Sequence, residues 1–143
     1  MCLLQFYFIY LSLLLAAVIV SFQESANSIA EGSSDQVCGQ LSSEAALPVT
    51  VALIINGGTA QQNTDFTISS FILTFQPGSV LRCTTISVTN DSILEEDETL
   101  LLSLQSSDST VLISITAGTT TVTIPNQDSK KNELYTCQYP LCL

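Results

Sequence analysis

Apolar and polar residues alternate along most of the chain beyond residue 37, in short segments. Val49, Val51 and Leu53 fall on one side of the first clear segment, and the same pattern recurs around residues 71–75, 84–88, 100–104 and 122–124. A period of two is typical of strands with one buried face. Turn-forming residues such as "NGG" and "PG" separate the segments. The pattern predicts an all-β protein whose short antiparallel strands form a sandwich.

The N-terminus has a different pattern, with an apolar run over residues 2–20 followed by polar residues. The small residues Ala26 and Ser28 then offer a cleavage site, so we interpret residues 1–28 as a secretory signal peptide removed somewhere within 21–28. The alternative is a retained membrane anchor, since the run approaches the roughly 20 residues that span a bilayer. Either way we expect the domain to be secreted or to face the outside, with membrane contact only if the segment is retained.

The cysteine content agrees with an oxidising compartment. Removal of the leader would remove Cys2 and leave Cys38, Cys83, Cys137 and Cys142, an even set with three possible connectivities. Without His, the common mixed Cys/His zinc sites are excluded.

Strand alternation makes one disulfide testable. If Ile86 and Val88 point inward, Cys83 lies on the outer face, and inward Val37 likewise places Cys38 outside. Two such cysteines on neighbouring antiparallel strands meet at a non-hydrogen-bonded position. We therefore predict a Cys38–Cys83 disulfide.

The charge balance excludes several classes of function. The chain has 3 Lys and Arg against 13 Asp and Glu, a formal charge of −10, so it has no electrostatic footprint for nucleic acid or anionic membranes. The absence of His removes Ser-His and Cys-His nucleophiles, and no enzymatic activity is expected. Cations are the more natural partners.

The most acidic stretch is "NDSILEEDETLLLSL", residues 90–104, immediately before and within an apolar strand. Taken alone, such a run is usually a solvated loop. It also begins with Asn90-Asp91-Ser92, an N-glycosylation sequon. A glycan on Asn90 would stand beside Asp91.

Four segments together resemble the Calx-beta domain, a module of sodium/calcium exchangers and of extracellular matrix and adhesion proteins. They are "GGTAQQNTDFTI", "LTFQPGS", "ISVTNDSILEEDETLLLSL" and "TVTIPNQD", in this order. The resemblance implies an Ig-like Greek-key β-sandwich of about seven antiparallel strands over residues 29–128. Residues 129–143 would be a tail or the start of a further module.

The resemblance also implies a calcium site at one end of the sandwich. The matching positions are Glu31, Asp65, Asp91, Glu95, Glu98 and Asp128, with the carbonyl of Ile93. Glu96 and Asp97 would point to solvent. Neutral Asn90, Ser92, Asn126 and Gln127 stand where binding members carry acids, which predicts weak binding of one or two Ca²⁺ ions.

Two functions are therefore expected. The first is a calcium-binding module in cell adhesion, cell communication or matrix organisation, which contacts a protein partner. The alternative is a metal-free structural or receptor-like sandwich that binds a protein partner through its loops or an edge strand.

Overall fold

The computed structural model describes residues 17–91 and 93–127, which form ten β-strands. These are Val18–Phe22 (β1), Ala26–Ser28 (β2), Ser34–Leu41 (β3), Val49–Gly58 (β4), Phe66–Ile68 (β5), Ile72–Phe75 (β6), Leu81–Val88 (β7), Glu98–Gln105 (β8), Val111–Ile113 (β9) and Thr119–Ile124 (β10). Within these ranges no helix is long and apolar enough to cross a membrane.

The strands form two five-stranded sheets, ordered β5-β7-β3-β1-β9 and β2-β10-β8-β4-β6. The prediction of an all-β sandwich is confirmed, but the number of strands is ten rather than about seven. The sequence pattern did not reveal some of the additional strands, because β2, β5 and β9 have 3 residues each, too few to show an alternation. Strand β1 lies within residues 1–28, which were interpreted as a leader, and it begins inside the apolar run of that segment.

The prediction that all strands are antiparallel is wrong for two pairs, because β1 runs parallel to β9 and β2 runs parallel to β10. Both exceptions come from the N-terminal segment. It runs in one direction and passes from the first sheet, where β1 lies between β3 and β9, to the edge of the second sheet. One segment thereby contributes to both layers.

The core lies between the two sheets and is built from the alternate residues of each long strand. The largest fully buried side chains are Val20, Val51, Leu53, Phe66, Phe75, Ile86, Leu100, Leu102 and Val122. Burial of one such side chain contributes about 1.5–3 kcal/mol, and a shift of one residue in register would turn a whole strand's apolar set outward. The packing therefore fixes the register of each strand.

Strand β1 corrects the predicted domain boundary. Val20 is 0% exposed and Phe22 is 4% exposed, so residues 18–28 belong to the sandwich, which begins earlier than residue 29. Cleavage within 21–28 would divide or remove β1. Residues 1–16 of the predicted leader lie outside the described part of the chain, as do residues 128–143 with Cys137 and Cys142.

The structure forms the disulfide between Cys38 and Cys83, which are directly opposite each other on β3 and β7. Their Cα atoms are 4.0 Å apart. The carbonyl of Cys38 accepts a hydrogen bond from the N–H of Gln23 on the other side of β3. Because backbone groups of one strand residue point to the same side, the Cys38–Cys83 pair is non-hydrogen-bonded, as the alternation predicted.

Strand directions divide the connections between two ends of the sandwich. One end, which we call the acidic pole, contains residues 29–33, 59–65, 89–91, 93–97 and 125–127. The other end, which we call the opposite pole, contains residues 42–48, 76–80 and 106–110. Four separate segments thus meet at the acidic pole.

A chain that starts at Ile29 should be less stable than one that starts at Ala17 by at least about 3 kcal/mol, because it lacks the buried side chains of Val20 and Phe22. Urea unfolding of both chains measures the difference, with the full chain as the reference. Equal free energies of unfolding would show that β1 is dispensable.

Replacement of both Cys38 and Cys83 by Ser should lower the free energy of unfolding by about 4 kcal/mol on the loop-entropy model, since the residues are 45 apart in sequence. Urea unfolding tests the magnitude, and non-reducing peptide mapping tests the pairing. Recovery of Cys38 joined to Cys137 or Cys142 would contradict the structure.

Candidate metal centre

Asp65 is held by a tight loop immediately before β5. Its Oδ2 accepts a hydrogen bond of 2.6 Å from the N–H of Gln61, and its own N–H donates to the Gln61 carbonyl. Asn63 has a φ of 68°, the left-handed conformation that Asn tolerates. The next residue, Phe66, is fully buried, so the carboxylate stands directly above the core. The loop therefore fixes the direction of Asp65.

Glu98 is positioned by the alternation of β8. It shares the inner face with Leu100, which is fully buried, and pairs in register with Ile124 at the end of β10. By this register, Glu98 occupies the first inner position of β8, where the core meets the acidic pole. Its carboxylate is consequently half-buried.

Three carboxylates meet at this point. Oxygens of Asp65, Glu95 and Glu98 all lie within 4.8 Å of one another. They line a small cavity together with Glu31, Asp91 and Thr89, and with the buried apolar residues Val88 and Ile124. The structure thus brings together five of the residues predicted for the site: Glu31, Asp65, Asp91, Glu95 and Glu98.

The crowding of negative charge changes the titration of Glu98. Burial, followed by the charges of Asp65 and Glu95, raises the pKa of Glu98 from 4.5 to about 6. Arg82 is the one Lys or Arg among the described residues, and it lies near the opposite pole, where its Nε donates to the carbonyl of Thr74. Among the described residues, therefore, no Lys or Arg neutralises the acidic pole.

Two other predicted members of the site, the carbonyl of Ile93 and the carboxylate of Asp128, are not brought to the cavity by the described residues. Ile93 does not line the cavity, its side chain is 54% exposed, and its N–H donates to Oδ1 of Asp91. The resulting turn orients Asp91 and directs the Ile93 side chain outward. Asp128 lies outside the described residues.

Asp97 is exposed, as expected, and it also contacts another segment. Its Oδ1 accepts a hydrogen bond of 3.0 Å from the N–H of Asn126, while the Asn126 side-chain amide donates to the carbonyl of Glu95. Glu96 is exposed, as expected. We call the contacts of Asn126 with Asp97 and Glu95 the Asn126 clasp. It joins the acidic loop to the segment that follows β10.

Sequence reasoning missed the role of Asn126 because it treated this position only as the loss of an acidic ligand. The signal was its location: Pro125 follows the last strand, and the next residue begins the segment beside the acidic loop. A neutral amide there has both a donor and an acceptor. It holds the loop in place without adding charge.

In calcium-free buffer, Glu98→Gln should stabilise the protein increasingly between pH 4.5 and about 6, because the raised pKa means that the folded state holds the Glu98 proton more tightly. In the parent protein, protonated Glu98 stabilises the folded state fully below the unfolded-state pKa. This stabilisation is lost as the pH rises through the folded-state pKa, and the Gln variant does not lose it. Urea unfolding across this range measures it. The exposed Glu96→Gln variant is the control, and identical profiles for the two variants would contradict the electrostatic account.

The chain was compared with known families and structures. A family model described as the Calx-beta domain matches residues 16–128. The apo-form Calx CBD1 domain is 24% identical with a TM-score of 0.69, and the match covers 78% of this chain and 98% of that one. A structure described as the calcium binding domain CBD12 of CALX1.1 is 25% identical with a TM-score of 0.67, and the match covers 76% of this chain and 46% of that one.

The Calx CBD2 domain is also similar, with 15% identity and a TM-score of 0.65 over 78% of this chain and 88% of that domain. No curated protein matches the chain. The family match begins at residue 16 and so includes β1, in agreement with the packing of Val20 and Phe22. This chain belongs to the Calx-beta domain family.

Proposed function

We propose that this domain binds calcium at the acidic pole. The observation that carries the proposal is the convergence of Asp65, Glu95 and Glu98 within 4.8 Å in a sandwich of this family. A similar solved structure is described as a calcium binding domain. Ca²⁺ prefers six to eight oxygen ligands, and carboxylates from separate loops are a common source of them. The residues present fit the ion.

The proposed calcium ligands are held in position by different parts of the structure. Asp65 and Glu98 are attached to buried parts of β5 and β8, whereas Glu95 lies on the exposed loop and is oriented by the Asn126 clasp. Glu31 and Asp91 line the remaining wall of the cavity. A bound cation would remove the repulsion among these groups, so its binding would stiffen a loop that contacts a neighbouring molecule.

The geometry favours one ion rather than two. The cavity has a volume of about 10 Å³, close to that of a single water-sized sphere. The clasp engages Asp97 through the backbone N–H of Asn126 and the carbonyl of Glu95 through the Asn126 amide, so these acceptors already have donors within the protein. Because Asn90, Asn126 and Gln127 are neutral, we expect an affinity in the weak range of extracellular modules, with dissociation constants of about 10⁻⁴ to 10⁻³ M.

We place the domain outside the cell, either secreted or at the cell surface, in adhesion, communication or matrix organisation with a protein partner. The Cys38–Cys83 disulfide supports an oxidising compartment. The sequon at Asn90 is consistent with the same route, as is the part of the apolar run that precedes β1. We propose a binding role and not a catalytic one.

A specific observation favours the alternative, a metal-free sandwich that binds its partner through an edge. Ile19 and Leu112 are directly paired on β1 and β9, and they are 43% and 50% exposed. Strand β9 is an edge of its sheet, so this apolar pair lies beside free backbone groups. The two functions differ in their response to calcium.

Calcium should raise the unfolding temperature of the domain, by an increment in free energy of about 1.4 kcal/mol at ten times the dissociation constant. Equal Mg²⁺ should have a smaller effect, because it requires a tighter octahedral cage. Calorimetry measures both. The variants Asp65→Asn and Glu98→Gln should lose the increment, and the exposed Glu96→Gln variant should retain it. If the unfolding temperature does not change up to about 10 mM Ca²⁺, the proposed calcium function is wrong and the metal-free function takes its place.

A further inference from the structure

Asn90 stands at the rim of the cavity. It is exposed, and its two neighbours in sequence, Thr89 and Asp91, both line the cavity wall. Strand β7 ends at Val88, so this rim segment begins directly after a buried strand end. The side chain of Asn90 therefore projects from a fixed position beside the carboxylates.

The other side of Asn90 faces the Glu31 turn. Gly32 has a φ of +69°, and a Cβ placed on it would lie 3.3 Å from Cβ and 3.5 Å from Nδ2 of Asn90. Glu31, the residue before this glycine, lines the same cavity. The amide nitrogen of Asn90 thus lies between two segments that each supply a carboxylate to the site.

We propose that Asn90 carries an N-linked glycan that stands over the mouth of the cavity and weakens calcium binding. The inference rests on the proposed calcium function and on passage through the secretory pathway. Asn90-Asp91-Ser92 is the one Asn-X-Ser/Thr sequence in the chain. Its exposed position on a loop is the kind of site at which such a glycan is accommodated in a folded protein.

The modification is a group transfer from a lipid-diphosphate-linked oligosaccharide. A bond forms between Nδ2 of Asn90 and the anomeric carbon of the first sugar, while the bond from that carbon to the diphosphate oxygen breaks. The lipid diphosphate leaves and the amide gives up one proton. Asn90 remains an amide and gains a bulky, neutral substituent.

The effect on calcium follows from the position of this substituent. The first sugar would lie between Asp91 and the Glu31 turn, so it would restrict the approach of both carboxylates to an ion. It would contribute hydroxyl groups but no negative charge, and ligand charge sets calcium affinity. The glycosylated form should require a several-fold higher calcium concentration for the same thermal shift.

The test uses the full chain secreted by cells that perform N-glycosylation. Intact mass should show a glycan on the parent protein and on Ser92→Thr, which keeps the sequon, and none on Ser92→Ala, which keeps Asn90 but removes the acceptor sequence. Calorimetric calcium titrations of these proteins then compare the two forms. Enzymatic deglycosylation serves only for the mass, because it converts Asn90 to Asp and adds a charge.

The expected result is a glycan mass on the parent and a weaker calcium response than that of Ser92→Ala. A parent protein without a glycan mass would overturn the proposed modification. A modified parent whose response equals that of Ser92→Ala overturns the regulation and leaves the calcium function intact. No calcium response in either form overturns the calcium function itself, and the proposed competition with it.

Discussion

The structure depends on the packing of alternate side chains between the two sheets. The acidic pole stands directly on this packing: Asp65 precedes the fully buried Phe66, and Glu98 is two residues before the fully buried Leu100. Carboxylates that repel one another would separate if they were carried by mobile loops. Here the core holds Asp65 and Glu98 in place. A cation bound between them would relieve their repulsion, and this relief would contribute to the free energy of binding.

The same pole contains a second device that limits the charge. Asn126, after the last strand, adds no charge to the pole and makes hydrogen bonds to Asp97 and to the carbonyl of Glu95. The Asn126 amide is neutral, and its hydrogen bond connects the acidic loop to the segment after β10. Rigidity and charge are therefore provided by different residues in this domain.

Much of the fold was predictable because a strand with one buried face leaves a period of two in the sequence. The alternation placed the core residues of β4, β7 and β8, and it also predicted which faces Cys38 and Cys83 share. Strand β1 was missed because its apolar residues continue an apolar run, which has no period to read. In the site, the carboxylates followed from the family pattern. The Asn126 clasp did not, since a hydrogen bond between distant segments depends on their relative placement in three dimensions.

The path of the N-terminal segment determines how the domain would carry load. Val18 begins β1 at the opposite pole, and Ile124 ends β10 at the acidic pole, so the two ends of the sandwich domain lie at opposite poles. Tension between these ends runs along the strands. It would act in shear on the parallel pairs β1–β9 and β2–β10, whose hydrogen bonds must then break together rather than one after another. Resistance of the domain to such tension would therefore come from β1 and β2, the two strands of the N-terminal segment that contribute to both sheets.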